Sequence, residues 1–272
     1  MSRINKIAEQ AALANRKLLI PYLVAGDPNL ETTSTLMHKL VGQGADIIEL
    51  GIPFSDPSSD GPIIQRGVER ALAKGTTVKQ VLELVAEFRK TDTDTGIVLM
   101  GYLNPIEIMG YKAFAEAASA AGVDGVLTVD LPPMEADELN AMMRAVKVDT
   151  IFLVAPTTRE ERVASIIEHC SGYLYYVSLK GVTGAALTDF GSVTANINKL
   201  RERTQLPIVI GFGIKDAQSA AAMGKLADGV IIGSALVEKI ALLADQVEHE
   251  SELLSDTIRV ISEAREALDK LV

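Results

Sequence analysis

The chain has 272 residues, 48% of them hydrophobic and 23% charged, a length that suits one large α/β barrel or two smaller domains. Its 26 basic and 36 acidic residues leave a net charge of −10, a field that repels nucleic-acid phosphates, and no basic stripe offsets it. A single cysteine, Cys170, excludes an intramolecular disulfide, and no apolar run reaches the ~20 residues that span a bilayer. The first residues, Met1 to Lys6, lead into an amphipathic stretch and not an apolar signal core, so a cytoplasmic location is expected.

Short apolar runs rich in β-formers alternate with stretches of helical spacing. An extra helix is expected before Leu18, followed by a strand at Leu18–Val24 and a helix at Leu30–Gly42. Ala45–Leu50 reads as the second strand, and Lys79–Arg89 as a helix with Val81, Leu82, Val85 and Phe88 on one stripe. Strands at Gly96–Met100 and Gly125–Val129 frame a helix at Phe114–Ala121, and Glu135–Val146 is helical before the strand Thr150–Val154. Glu160–His169, Tyr173–Val177, Ser192–Arg203, Pro207–Ile210, Asp216–Gly224 and Gly229–Ile232 continue the alternation. From Ser251, apolar residues from Leu254 to Leu271 recur at three- and four-residue steps, a terminal helix with one packing face.

Eight runs, several without a polar face, imply parallel strands buried on both sides. With no linker dividing residues 1–272, the expected architecture is one domain. It is an eight-stranded parallel (β/α)8 barrel with an extra N-terminal and a C-terminal helix. An open doubly wound sheet is the alternative.

Barrels carry their sites at the C-terminal ends of the strands. The second strand ends Glu49-Leu50-Gly51-Ile52-Pro53-Phe54-Ser55-Asp56-Pro57 and runs on through Asp60-Gly61-Pro62. Pointing into the mouth, Glu49 would have a raised pKa suited to proton transfer; pointing elsewhere it would pair with a basic group or reach water. Asp60 and Asp56 also fit turn or cap roles. Gly181-Val182-Thr183-Gly184 follows the sixth strand and reads either as a lid over 178–192 or as an ordinary glycine connection. Glycines after the seventh strand (Gly211, Gly213) and after the eighth (Gly233-Ser234) match the place where barrels build phosphate sites. His38, His169 and His249 lack metal spacing, Cys170 reads as an inert thiol, and no dinucleotide or Walker loop is present.

The stretch from Glu49 to Pro57 with Asp60-Gly61-Pro62 resembles the signature of the tryptophan synthase alpha chain family. So do Pro21-Tyr22 with Ala25-Gly26-Asp27-Pro28, Met100-Gly101-Tyr102 with Asn104-Pro105, and Asp130-Leu131-Pro132. Gly181-Val182-Thr183-Gly184 and Gly211-Phe212-Gly213-Ile214 continue the match in order. The resemblance implies a TIM barrel lyase that splits indole-3-glycerol phosphate into indole and glyceraldehyde 3-phosphate. Glu49 would transfer protons and Asp60 would accept the indole N–H. Tyr22, Met100, Leu127, Val129, Leu153, Tyr175, Thr183, Phe212 and Ile232 would line the indole pocket. Gly184, Gly213, Gly233 and Ser234 would hold the phosphate. Asp56 and Asp130 would couple the chain to a beta chain in an α2β2 heterotetramer. The implied cofactor, pyridoxal phosphate, would belong to that partner, with none and no metal in this chain.

Two departures touch the rim. Ser58-Ser59 stands where the family usually has Leu-Ala, and Lys180 is the basic residue nearest Leu179, where many members carry arginine. A stand-alone lyase, a silent regulatory subunit and a phosphosugar isomerase on the same barrel are the other readings; fold alone does not choose among them.

Overall fold

The computed structural model of the chain describes residues 2–177, 190–211, 213–245 and 250–271. Eight strands close into a barrel in chain order: β1 (Leu18–Val24), β2 (Ile47–Gly51), β3 (Gly96–Gly101), β4 (Gly125–Thr128), β5 (Asp149–Val154), β6 (Leu174–Val177), β7 (Ile208–Gly211) and β8 (Gly229–Ile232). All neighbours are parallel, and β1 pairs with β8 to seal the seam, with Leu18 opposite Gly229 and Pro21 opposite Ile232.

Strand parity divides the apolar residues into two clusters, because successive side chains point to opposite faces. One fills the barrel with Leu18, Ile20, Ile47, Val98, Leu127, Ile151, Tyr173 and Val209. The other lies between the barrel wall and the helices, with Leu19, Leu23, Ile48, Leu50, Ile97 and Leu99 facing Leu36, Val85, Phe88 and Phe114. The helices beside the first half are α2 (Leu30–Gly42), α3 (Pro62–Ala73), α4 (Val78–Phe88), α5 (Leu103–Met109), α6 (Tyr111–Ala121) and α7 (Asp137–Ala145). Those beside the second are α8 (Glu160–His169), α9 (Phe190–Arg201), α10 (Ala217–Gly224), α11 (Ser234–Asp245) and α12 (Glu250–Asp269).

The expected N-terminal helix is α1 (Arg3–Leu13), opened by Ser2, whose hydroxyl accepts from the Asn5 N–H at 3.2 Å. Ile4, Ala8 and Ala11 press into the barrel cluster and close its floor. Glycines at the starts of β3 and β4 make room for them: a Cβ on Gly125 would stand 3.0 Å from Ile4 Cδ1. The expected terminal helix is α12, whose Ile261, Ala264 and Leu268 are fully buried.

Carboxylates at the strand starts tie the lower rim together. Asp46 accepts from the Leu19 N–H at 2.9 Å, Asp124 from Ile97 at 2.8 Å and Asp228 from Ile208 at 2.9 Å. Each also meets arginine: Arg16 for Asp46, Arg3 and Arg89 for Asp124, Arg201 for Asp228.

The differences from the sequence expectation have simple causes. Helices α3 and α5 were not anticipated; Pro62 occupies the first turn of α3, the signal for a helix start, but sits behind a Gly-Asp-rich loop that reads as turn, and α5 has only seven residues. The helix expected over Glu135–Val146 forms as α7, starting two residues later, and Glu135 instead ends a short 3-10 turn at Pro133–Glu135 whose backbone Pro132 and Pro133 set. His38 stacks on Phe88 at 4.7 Å between centroids and His169 hydrogen-bonds Ser165 and Asp137, both as packed helical histidines.

Asp124 is 6% exposed, and removing its carboxylate takes the acceptor from Arg89 Nη2 and from the buried Ile97 amide, and the ion-pair partner from Arg3. Asp124→Ala is expected to lower the unfolding free energy by roughly 3 kcal/mol, read from urea denaturation. A change below ~1 kcal/mol, the level of a surface pair, would show that this cluster does not hold the floor.

Candidate active site

Register places Glu49 opposite Tyr22 of β1 and Val98 of β3. Since Ile47 belongs to the barrel cluster, Glu49 two residues on points inward as well, and it is completely buried. One carboxylate oxygen, Oε1, accepts a short hydrogen bond from the Tyr173 hydroxyl, while Oε2 has no partner among the described residues. Burial pushes the Glu49 carboxyl up to about 7 against the pull of Tyr173, so both protonation states are populated near neutrality. Tyr22, Tyr173 and Tyr175 surround it with phenols whose own ionisation burial raises well above the ordinary value. They stay neutral donors.

Above Glu49 opens a cavity of about 710 Å³ at the C-terminal ends of the strands. Tyr22, Glu49, Asp60, Met100, Val129, Leu153 and Tyr175 line it, as do Gly213, Gly233 and Ser234, with Gly233 beside the Tyr22 side chain. Two glycines let the phenols stand where they do. A Cβ on Gly51 would fall 2.3 Å from the Tyr22 hydroxyl, and one on Gly211 2.0 Å from that of Tyr175. Neither position admits a larger residue without moving a cavity wall.

Asp60 reaches the same cavity from the loop after β2. Its Oδ2 accepts from the Tyr102 hydroxyl at 2.8 Å, and that hydroxyl in turn accepts from the Ser59 N–H at 3.0 Å. Tyr102 is packed beside Phe54 at 5.3 Å, which fixes the ring. Burial raises the Asp60 carboxyl and the hydrogen bond from Tyr102 lowers it in part. The loop then enters α3, anchored to β1 by a bidentate pair between Arg70 and the buried Asp27, at 2.7 and 2.8 Å.

On the cavity wall after β7, Gly213 adopts φ +77°, a conformation open to glycine. Gly233 precedes α11, its carbonyl accepting from the Leu236 and Val237 N–H groups. The helix N-terminus therefore opens at Ser234 toward the cavity, where backbone N–H groups suit an anion.

Ten of the residues expected in the site thus converge, and others do not. Ile232 is corrected: it belongs to the outer cluster, and Ile231 faces the cavity, because strand parity turns alternate β8 residues to opposite sides. Leu127 is corrected in depth: it packs inside the barrel, a layer below Val129, and does not line the cavity. Asp56 and Asp130 are exposed on the rim loops; Asp56 accepts from Ser55 Oγ at 2.6 Å and Asp130 from the Leu103 N–H that starts α5 at 2.8 Å. Thr183, Gly184 and Phe212 lie outside the described residues.

Sequence reading missed the two tyrosines that hold the carboxylates. Tyr173 could have been found by its parity with Tyr175, which puts both phenols inside; Tyr102 stood in a quoted motif, but its reach to Asp60 depends on loop folding. Cys170 is as expected an inert thiol, its pKa pushed up to about 12 by burial. Among the described residues no group of three or more metal-ligating side chains converges, and no helix is long and apolar enough to cross a membrane.

The profile of the tryptophan synthase alpha chain family matches residues 8–266. The tryptophan synthase alpha chain of Marinobacter nauticus is 55% identical over 271 residues, covering 100% of this chain and 99% of that one. That of Laribacter hongkongensis is 54% identical over 259 residues, 95% of this chain and 98% of its own. The crystal structure of tryptophan synthase subunit alpha from Legionella pneumophila superposes with a TM-score of 0.90 at 44% identity, covering 99% of both chains. A structure of tryptophan synthase from M. tuberculosis, in an aminoacrylate-bound form, gives 0.86 at 32% identity over 98% of this chain.

The Glu49 carboxyl links the site to stability. Its pKa rises from the ordinary 4.5 to about 7, so its favourable protonated state is kept below pH 4.5 and lost as pH rises through 7. Glu49→Gln removes that loss. Its stability advantage over the parent is expected to grow by roughly 3 kcal/mol between pH 4 and pH 8, measured by denaturant unfolding. Parallel stability–pH curves would mean that Glu49 titrates as in water.

Proposed function

This chain belongs to the tryptophan synthase alpha chain family, lyases that cleave indole-3-glycerol phosphate, and on that premise we propose that Glu49 and Asp60 carry the cleavage here. The observation behind this is Glu49 itself: a fully buried carboxyl at the base of the cavity, one oxygen held by Tyr173 and the other without a partner among the described residues, with a pKa of about 7.

The reaction breaks the bond between the indole ring and the side chain. A proton adds to the ring carbon, the side-chain hydroxyl gives one up as the aldehyde forms, and the electrons of the broken bond return to the ring. One proton enters and one leaves, so a carboxyl that ionises near neutrality can exchange both. Protonation drives positive charge onto the indole nitrogen. The Asp60 carboxylate, held in place by Tyr102, accepts the N–H and stabilises that charge more in the transition state than in the substrate.

Met100, Val129, Leu153, Ile231 and the faces of Tyr22 and Tyr175 enclose the flat ring. The phosphate lies at Gly213, Gly233 and Ser234, on the N-terminus of α11. No resident cofactor enters this chemistry. Asp56 and Asp130 stand on the rim that meets a beta chain, in an α2β2 assembly in which pyridoxal phosphate belongs to the partner and indole passes to it for tryptophan synthesis. The site of action is the cytoplasm.

Indole release from indole-3-glycerol phosphate by the purified chain tests the reading. Slow release is expected alone, and strong acceleration with a tryptophan synthase beta chain. Acceleration absent at saturating beta chain would favour a stand-alone lyase, and no release under either condition would end the enzymatic reading. Glu49→Gln is expected to abolish turnover while substrate still binds. Tyr102→Phe, which removes the hydrogen bond to Asp60, is expected to lower kcat/KM by at least tenfold, the equivalent of ~1.5 kcal/mol for a bond to a charged group. Unchanged kcat/KM in that variant would show that Asp60 is positioned without it.

A further inference from the structure

The described lining of the cavity holds four carboxylates, Glu49, Asp60, Asp216 and Glu238, and one basic side chain, Lys215. Two of the carboxylates, Asp216 and Glu238, come from the end where the phosphate is proposed to lie. Glu238 follows Ser234 by four residues on α11, so the two share a helix face. Asp216 opens α10, where its carboxylate is compensated by the Ser219 N–H at 2.8 Å and Ser219 Oγ at 2.7 Å, and its pKa is pulled down by those bonds. Glu238 is exposed, lines the same cavity and has no such compensation among the described residues.

A phosphate monoester brings close to two negative charges at neutral pH. Backbone amides fix its position but must do so against these carboxylates. Lys215 stands two residues beyond Gly213 on the loop that forms this end of the cavity, and its backbone N–H is pinned to Ser219 Oγ at 3.1 Å. Its side chain is exposed and makes no hydrogen bond or ion pair within contact distance among the described residues, though its charge acts on the neighbouring Asp216 carboxylate and helps to lower that pKa. An ammonium on a flexible stem, tethered at the backbone and shared with no closer partner than this exposed carboxylate, is suited to follow an incoming anion as a point charge.

We propose that Lys215 is the cationic partner of the substrate phosphate and Glu238 its opposing charge, the balance of the two setting affinity for the phosphorylated substrate. The inference rests on the proposed reading of the site and adds specificity-determining residues to it. Two variants of opposite sign test it. Lys215→Met is expected to raise both KM for indole-3-glycerol phosphate and the calorimetric Kd of glycerol 3-phosphate about fivefold. Its kcat stays within twofold, and the salt dependence of KM flattens. Lys215→Arg keeps the parent values. Glu238→Gln is expected to lower KM and Kd about twofold, a gain that a merely structural role does not produce. Unchanged Kd in Lys215→Met, or equal losses in both variants, would overturn the proposal while cleavage by the parent chain stands. A parent chain that neither cleaves the substrate nor binds glycerol 3-phosphate would instead overturn the reading of the site on which the proposal rests.

Discussion

A carboxyl group sealed inside an apolar barrel constrains everything built above it. Glu49 is fully buried on the second strand, and its burial is what brings its ionisation to about pH 7. Three features keep it there. The floor is closed by Ile4, Ala8 and Ala11 of α1, the walls are apolar, and one oxygen is held by Tyr173 from the far side of the barrel. Loosening any of them admits water, returns the carboxyl toward its ordinary value and removes the reason for placing it at that depth. Aspartates at the lower rim tie neighbouring strands together at that closed end, each accepting a backbone N–H from the adjacent strand.

The second carboxylate follows the opposite plan. Asp60 rides on a loop, only partly buried, and owes its position to a chain of contacts. Phe54 packs Tyr102, Tyr102 donates to Asp60, and the loop's far end is fastened through α3 by Arg70 to Asp27. On the proposed reading, a rigid strand carries the group that would work in a dry environment, and a loop carries the group that would meet a ring arriving from solvent. The different surroundings separate the tasks of two similar side chains.

The cavity's charge follows from the same economy of basic residues. On the proposed reading, a chain with a net charge of −10 offers an anionic substrate little long-range attraction, so the phosphate end would rely on local devices: the α11 N-terminus, a glycine at φ +77° and one lysine. Glu238 on the same cavity lining would then limit how tightly an anion is held, which suits a site that must release a phosphorylated product as well as bind a phosphorylated substrate.

The alternation of apolar runs and helical stretches was enough by itself to determine eight strands, their parallel sense and the two extra helices, because side-chain periodicity is a local property. Glu49 was legible for the same reason: a lone carboxylate in an apolar strand has few places to go. What needed tertiary structure was whatever depended on which strands meet and how deep each layer lies. Parity is set by register, so Ile231 and not Ile232 faces the cavity, and depth is set by barrel closure, so Leu127 falls below it. Tyr173 meets Glu49 across 124 positions of sequence, and Tyr102 meets Asp60 across 42. No periodicity encodes contacts of that separation; they exist only once the barrel has closed and brought the ends of its strands to one mouth.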